Sequence, residues 1–435
     1  MKNYLNNLSR EVRDLIYLAR DVASKKNIPA YLVGGFVRDL ILGTKNLDLD
    51  IVAEGDGIKF AEDYANLLKA NLIRHRRFGT ATVILGPNLK VDIATAREEF
   101  YPQPACLPLV SSGTLKDDLF RRDFTINAMA MSIMGRNFGR LIDLFDGMDD
   151  LRNKKIRVLH NLSFIDDPTR ILRAIRFEKR YNFKIEPETL TYLREAVKIK
   201  MLEKVQPQRL RNELILLLKE ERPLKQIRRM HELTGFSFIN PHLSVSKNIY
   251  KLLSAVENQI SWFRRAYPKR RQIDTWLMYF MGLIDSLNIG DVQSICSRFV
   301  FRKGEERRIL TYKKVSHKVI LVLSQEKIKP SRIFNLLEHL TFVVILLIKA
   351  KSSRQSGIPQ NAGKNSNIQR HIKDFFEIYN GKRLFISGDD LHRLKVAPGP
   401  YYQKIFAKVL NAKLQGLVKT KEEELEFIKR LIKAR

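Results

Sequence analysis

Up to about residue 150 the apolar positions switch between two periods. Residues 11–26 and 57–69 repeat apolar side chains every three to four positions, the spacing of an amphipathic helix. Between and after them lie short β-rich runs: AYLVGG, LDLDIVA, TATVILG, LKVDIATA and NAMAMSI. Such mixing predicts an α+β domain with a small mixed sheet. From about residue 150 onward the period is almost wholly helical, punctuated near Pro187, Pro207, Pro223 and Gly235, which predicts an elongated stack of helices. Residues 351–369 are polar without an apolar period and read as a linker or mobile loop. A helical tail with the turn APGP at 397–400 follows.

Four charged signatures interrupt this pattern in fixed order: LVGGFVRD, DLD, RRDFTINA and DDPTRILRAIRF. Strand alternation puts Asp48 and Asp50 on one face while Leu47, Leu49 and Ile51 point into the core. Two adjacent carboxylates repel unless a cation lies between them, and a hard oxygen-seeking Mg²⁺ suits that pair. Asp92 is a third acid on a predicted strand, suited to general-base work or a second metal position. Gly34 and Gly35 close a strand before a short helix carrying Arg38, an arrangement that lets backbone and guanidinium approach phosphate. Arg122 and Asp123 set a cation beside an acid, and Asn127 offers hydrogen bonds to a ribose. Asp167 before Pro168 is a natural helix start on capping grounds alone. Beyond it, Arg170, Arg173 and Arg176 recur as a basic stripe, with Ile171, Ala174 and Ile175 as the buried face. Residues 97–120, with three prolines, read as a long functional loop.

Charge sharpens the division. The chain has 78 Lys and Arg against 47 Asp and Glu, net +31, yet residues 1–150 contain 20 of each. The excess therefore lies wholly in 151–435, which suggests chemistry in the front and grip on a polyanion, RNA first among candidates, behind it. The longest apolar run, Phe342 to Ile348, is far shorter than a bilayer requires, and the first residues lack the apolar core of a signal peptide. The expectation is a cytoplasmic protein with no membrane span, whose two cysteines, Cys106 and Cys296, stay reduced.

In order and content the four signatures closely resemble the class II tRNA CCA-adding nucleotidyltransferases, relatives of bacterial poly(A) polymerases. The likeness is specific over about 31–180 and looser through QPQRLRNELILLLKE (206–220) and the segment 386–405. It implies a DNA polymerase beta-like head over 1–150, a helical neck with base recognition over 151–235, a helical body over 236–350, the polar linker over 351–369, and a tRNA-binding tail over 370–435. It further implies Asp48 and Asp50 as Mg²⁺ ligands with Asp92 as third acid, nucleotide contacts at Gly35, Arg38, Arg122, Arg170, Arg173 and Arg176, and a base-reading pair, Asp167 and Arg170. No His-Asp dipeptide occurs, so the phosphohydrolase domain of some relatives is not expected. The implied activity is addition of C, C and A to the tRNA 3′ end from CTP and ATP. An A-adding or CC-adding specialist, a poly(A) polymerase and a non-enzymatic RNA-binding protein are the alternatives.

Overall fold

The computed structural model describes residues 4–44, 48–87, 89–270, 272–353 and 362–433. They form two units, Met1–Phe238 and Ile239–Arg435. The first is built on a seven-stranded sheet in the order β3-β4-β5-β2-β1-β8-β9, where β1 is Ala30–Val33, β2 Asp48–Ala53, β3 Asn71–His75, β4 Thr80–Gly86, β5 Leu89–Thr95, β8 Met129–Ser132 and β9 Leu141–Asp143. Within this sheet β2 and β5 alone pair in parallel; every other neighbouring pair is antiparallel. The expected mixed sheet is present. Pattern reading did not find β3 or β9, both short and partly solvated.

Register places the acids. Asp48 lies opposite Lys90 and Asp50 opposite Asp92, while Leu49, Ile51, Val91 and Ile93 on alternate positions are buried. Leu47 lies outside the described residues. The two helices read from the apolar period are Arg10–Lys26 and Gly57–Leu68, each started by a side-chain cap, Ser9 and Asp56.

Residues 97–120 are not an open loop. Arg97–Phe100 (β6) and Leu109–Ser112 (β7) pair as an antiparallel hairpin, and Leu115–Phe120 is a helix with a Thr114–Asp117 capping box. The prolines at 102, 104 and 108 fall between the strands, where no ladder hydrogen bond is needed. A run of prolines therefore marked the hairpin's tip and hid its short arms.

The rest of the first unit is mainly helical, with Ser163–Asp166, Thr169–Arg180, Pro187–Lys198, Pro207–Leu218 and Pro223–Thr234 among its helices, and it also holds a short parallel pair of strands, Lys155–Ile156 with Lys184–Ile185. The Thr169–Arg180 helix packs against Pro207–Leu218 and Pro223–Thr234. It begins one residue later than composition predicts: Pro168, not Asp167, holds the cap position, and Asp167 one residue before it accepts from the Thr169 amide at 3.1 Å.

In the second unit the Phe342–Ser353 helix, buried along most of its length, packs against Lys247–Ala266 and Thr275–Leu283. Its apolar run is a protein core, and among the described residues no single helix is long and apolar enough to cross a membrane. Phe263 and Trp276 are likewise core. The linker reading of 351–369 is corrected at both ends, because 351–353 finish one helix and 362–369 belong to the helix Ala362–Asp374. Residues such as Ile368 supply apolar contacts too sparse to show as a period. Positions 354–361 lie outside the described residues. The last segment gathers Ile386, Leu391, Ile405, Val409 and Ile428 into its own cluster.

Candidate active site

One large cavity, about 1450 Å³, opens in the first unit, and eleven of the thirteen site residues expected from sequence line it. These are Gly35, Arg38, Asp48, Asp50, Arg122, Asp123, Asn127, Asp167, Arg170, Arg173 and Arg176. Gly34 and Asp92 lie outside its lining.

The floor is the start of β2. The Asp48 side chain is two-thirds exposed, and burial pushes Asp50 up to about 6 against the pull of Arg122. Asp92 accepts from Thr82 Oγ1 at 2.5 Å and Lys90 Nζ at 2.6 Å, and the same ammonium lies 3.9 Å from Asp48. Asp50 is thus a half-buried acid whose desolvation outweighs the pull of the nearby positive charge. That imbalance, and a donor set made of hard carboxylate oxygens, fits a magnesium ion held by Asp48 and Asp50. Among the described residues no group of three His, Cys, Asp or Glu forms a metal cage. Such an ion would complete its shell with phosphate and water oxygens, as Mg²⁺ commonly does.

Beside this floor stands the glycine pair. Gly34 has φ +68° and its amide donates to Met129 O, while a Cβ there would sit 2.4 Å from Arg122 Nη1. Only glycine combines that backbone with so close a guanidinium. Gly35 opens the helix Gly35–Leu42, which carries Arg38 inward. Arg38 is nearly fully buried: it donates to Asn127 Oδ1 and, through Nε, to Asp39 Oδ1 at 2.8 Å. Its guanidinium lies over the rings of Tyr181 at 4.7 Å and Phe177 at 5.3 Å, and Tyr181 Oη donates to Asp39 Oδ1 at 3.1 Å.

The signature at 121–127 forms the back wall. Asp118, whose side chain is fully buried, pairs with Arg121 at 2.5 Å and Arg122 at 2.7 Å. Burial would raise its pKa, but those two guanidiniums hold it below the ordinary carboxylate range. Asp123 accepts from Asn127 Nδ2 and from Arg173 Nε, each at 2.8 Å. There too burial is overcome, by Arg173 above all, and the pKa falls to about 2.

The Thr169–Arg180 helix supplies the remaining wall, and its arginines are not a solvated stripe. Arg170 and Arg176 are buried although helical period assigns burial to Ile171, Ala174 and Ile175, because the helix is covered on both sides and the cavity admits side chains between. Arg170 donates to Ser163 Oγ at 2.5 Å and Arg121 O at 2.8 Å. Arg173 bridges Asp123 and Glu213, the latter at 3.2 Å, whereas Arg176 has only longer ion pairs, 3.6 Å to Glu213 and 3.8 Å to Glu220. Asp167 Oδ2 meets Arg209 Nη2 at 2.8 Å.

Arg209, Glu213, Asp39, Asp118 and Tyr181 were not singled out from sequence. Asp118 stands three and four residues before Arg121 and Arg122, a readable helical spacing. Asp39 directly follows Arg38 within the first signature, whereas Arg209, Glu213 and Tyr181 meet the site through chain folding.

A family model described as the poly A polymerase head domain matches residues 30–157, and another, described as "Probable RNA and SrmB-binding site of polymerase A", matches 182–246. The A-adding tRNA nucleotidyltransferase of Geobacter sulfurreducens is 38% identical over 427 residues, covering 96% of this chain and 47% of that protein. The chain thus spans about half the length of that relative. The solved structure of a CCA-adding enzyme in apo form II superposes with a TM-score of 0.78 at 34% identity, covering 98% of this chain and 97% of that one. The Thermotoga maritima CCA-adding enzyme complexed with tRNA-CCA gives 0.75 at 33% identity, with 99% and 97% covered. With sheet, cavity and near-full-length likeness in agreement, the chain belongs to the poly(A) polymerase and tRNA nucleotidyltransferase family.

Proposed function

We propose that this protein extends the 3′ end of tRNA without a nucleic-acid template, adding C, C and A from CTP and ATP and releasing pyrophosphate. The observation that carries this reading is a single cavity lined by the Asp48–Asp50 pair, the Arg38 and Arg122 guanidiniums and the Asp167 carboxylate. A triphosphate needs all three at once: cation-binding acids, phosphate donors and a reader for the base.

The 3′-hydroxyl oxygen of the RNA attacks the α-phosphorus, its proton passes to water, and the bond to the departing pyrophosphate breaks. Arg122, with Nε unpartnered, meets the phosphate charge, and Arg38 is pre-oriented by Asp39, Asn127 and Tyr181, so little reorganisation is needed. Mg²⁺, held by Asp48 and Asp50, would neutralise phosphate charge and lower the pKa of the attacking hydroxyl. Asp92 pairs in register with Asp50 but is held by Thr82 and Lys90 outside the cavity lining, so the proposed ion rests on Asp48 and Asp50.

Cytosine and adenine both present an amino donor beside a ring-nitrogen acceptor, whereas uracil and guanine present a carbonyl beside an N–H. A carboxylate next to a guanidinium fits the first pair and opposes the second. Asp167 is that carboxylate. The strongly basic remainder of the chain supplies shape- and charge-based grip on tRNA, in keeping with the tRNA held by the Thermotoga maritima relative.

A second reading, addition of the terminal A alone, is favoured by the 38% identity with the A-adding enzyme of Geobacter sulfurreducens, against 34% and 33% for the two CCA-adding structures. One experiment decides. Purified protein is incubated with tRNA ending at the discriminator base or at CC, with each nucleoside triphosphate singly and with CTP plus ATP. Three additions to the first substrate support the proposal, one A on the second alone supports the specialist, and unlimited A addition or none overturns both.

A further inference from the structure

Among the described residues, ten buried side-chain polar atoms lack a hydrogen bond, and five of them belong to residues that line the active-site cavity. One is Arg209 Nη1, in the first turn of the Pro207–Leu218 helix. Its neighbour Nη2 lies 2.8 Å from Asp167 Oδ2. The other carboxylate oxygen, Oδ1, is taken by the Thr169 amide at 3.1 Å and the Thr169 hydroxyl at 2.6 Å. Both oxygens of the base-reading acid are therefore oriented, one by the start of its own helix and one by Arg209. Arg170, the donor expected from sequence, spends its terminal nitrogens on Ser163 Oγ and Arg121 O.

We propose that Arg209 is a specificity-determining residue: it fixes the orientation of the Asp167 carboxylate and offers a free N–H beside it to the same base. This rests on the reading of Asp167 as base acceptor given above. A guanidinium is planar, so the unpartnered Nη1 lies in the same plane as the Nη2 bound to the carboxylate. The amino group and adjacent ring nitrogen of cytosine or adenine then span carboxylate and guanidinium together. Uracil or guanine sets a carbonyl against the carboxylate and an N–H against the guanidinium. Two mismatched pairs on one base edge give strong rejection.

Without Arg209 the Asp167 carboxylate loses its counter-charge and one of its anchors. It is then free to rotate, and a rotated carboxylate no longer sets its acceptor oxygen against the carbonyl it should exclude. The test uses the full chain and tRNA ending in CC, reading the ratio of kcat/KM for ATP to that for GTP. The ratio compares two substrates on one enzyme, so loss of folded protein cancels from it. In Arg209→Met the ratio should fall at least about tenfold, and Arg209→Lys, which keeps the charge without the planar fork, should fall between Met and wild type. Should the Met variant not fold, Arg209→Gln is read in the same way. A variant whose kcat/KM drops equally for ATP and GTP, leaving the ratio at the wild-type value, overturns the role of Arg209. A wild-type protein that adds nothing to tRNA overturns the reading beneath it instead.

Discussion

The cavity wall and the C-terminal segment treat buried charge in opposite ways. In the segment, Lys413 donates to Glu424 at 2.6 Å, and Glu424 also accepts from the Phe385 and Ile386 amides at 2.8 and 3.1 Å. That carboxylate is fully buried, with its charge met and both oxygens bonded. Around the cavity, Arg122, Arg176, Arg209, Glu213 and Gln226 each retain a buried atom with no hydrogen bond. A complete polar set fixes structure, whereas an incomplete one concentrated in one cavity waits for a ligand to complete it.

The sharpest break would come from the metal-binding acids. Asp50→Ala or Asp48→Ala should lower nucleotide transfer at least about a thousandfold while tRNA affinity, measured by filter binding, stays near wild type. Near-normal turnover in either variant would remove the metal site. At the Lys413–Glu424 pair the loss should appear as stability: Lys413→Met leaves Glu424 buried and uncompensated, at a cost of about 3–5 kcal/mol in denaturant unfolding. The ATP to GTP discrimination of its folded fraction should be unchanged. A Lys413→Met protein as stable as wild type would show that the pair does not hold the segment together.

Asp50 joins the two behaviours. Its folded pKa, about 6, lies above the unfolded value of 3.8, so the native state binds the proton more tightly. The ionised group therefore opposes folding increasingly as pH rises from 3.8 to 6, and by a constant amount above that. Asp50→Asn should stabilise the metal-free protein at pH 8 by about 1–3 kcal/mol, and by nothing at pH 3.5, while abolishing transfer. Equal unfolding midpoints for the two proteins at pH 8 would contradict this. Gly34→Ala, with a Cβ 2.4 Å from Arg122 Nη1 and strained backbone, should cost about tenfold in kcat/KM for the nucleotide. Smallest of all, Tyr181→Phe keeps the ring under Arg38 but removes the hydrogen bond to Asp39, worth about 0.5–1.5 kcal/mol. It should raise KM for ATP a few-fold with kcat held; a fall in kcat with KM unchanged would place Tyr181 in the chemical step instead.

Much of the site was legible because its logic is local. Alternation along β2 puts Asp48 and Asp50 on one face, and a glycine pair before a short helix is visible as residues. The hairpin β6–β7 was not legible, since four-residue strands carry too few alternations to stand out and the prolines at the tip dominate their neighbourhood. The burial of Arg170 and Arg176 was missed for another reason: helical period tells which residues are apolar, while a cavity lets charged ones be enclosed as well.

The sequence by itself determined the α+β head, the helical remainder, the order of the charged motifs and the separation of acids from the basic excess, because each depends on residues a few positions apart. Only the tertiary structure decided that Tyr181 steadies Arg38 through Asp39, that Glu213 bridges Arg173 and Arg176, and that Arg209 grips Asp167. Those partners are tens to more than a hundred residues apart along the chain. Their meeting is fixed by how helices pack on one another and on the sheet, and no local pattern encodes which distant polar group arrives at a given wall.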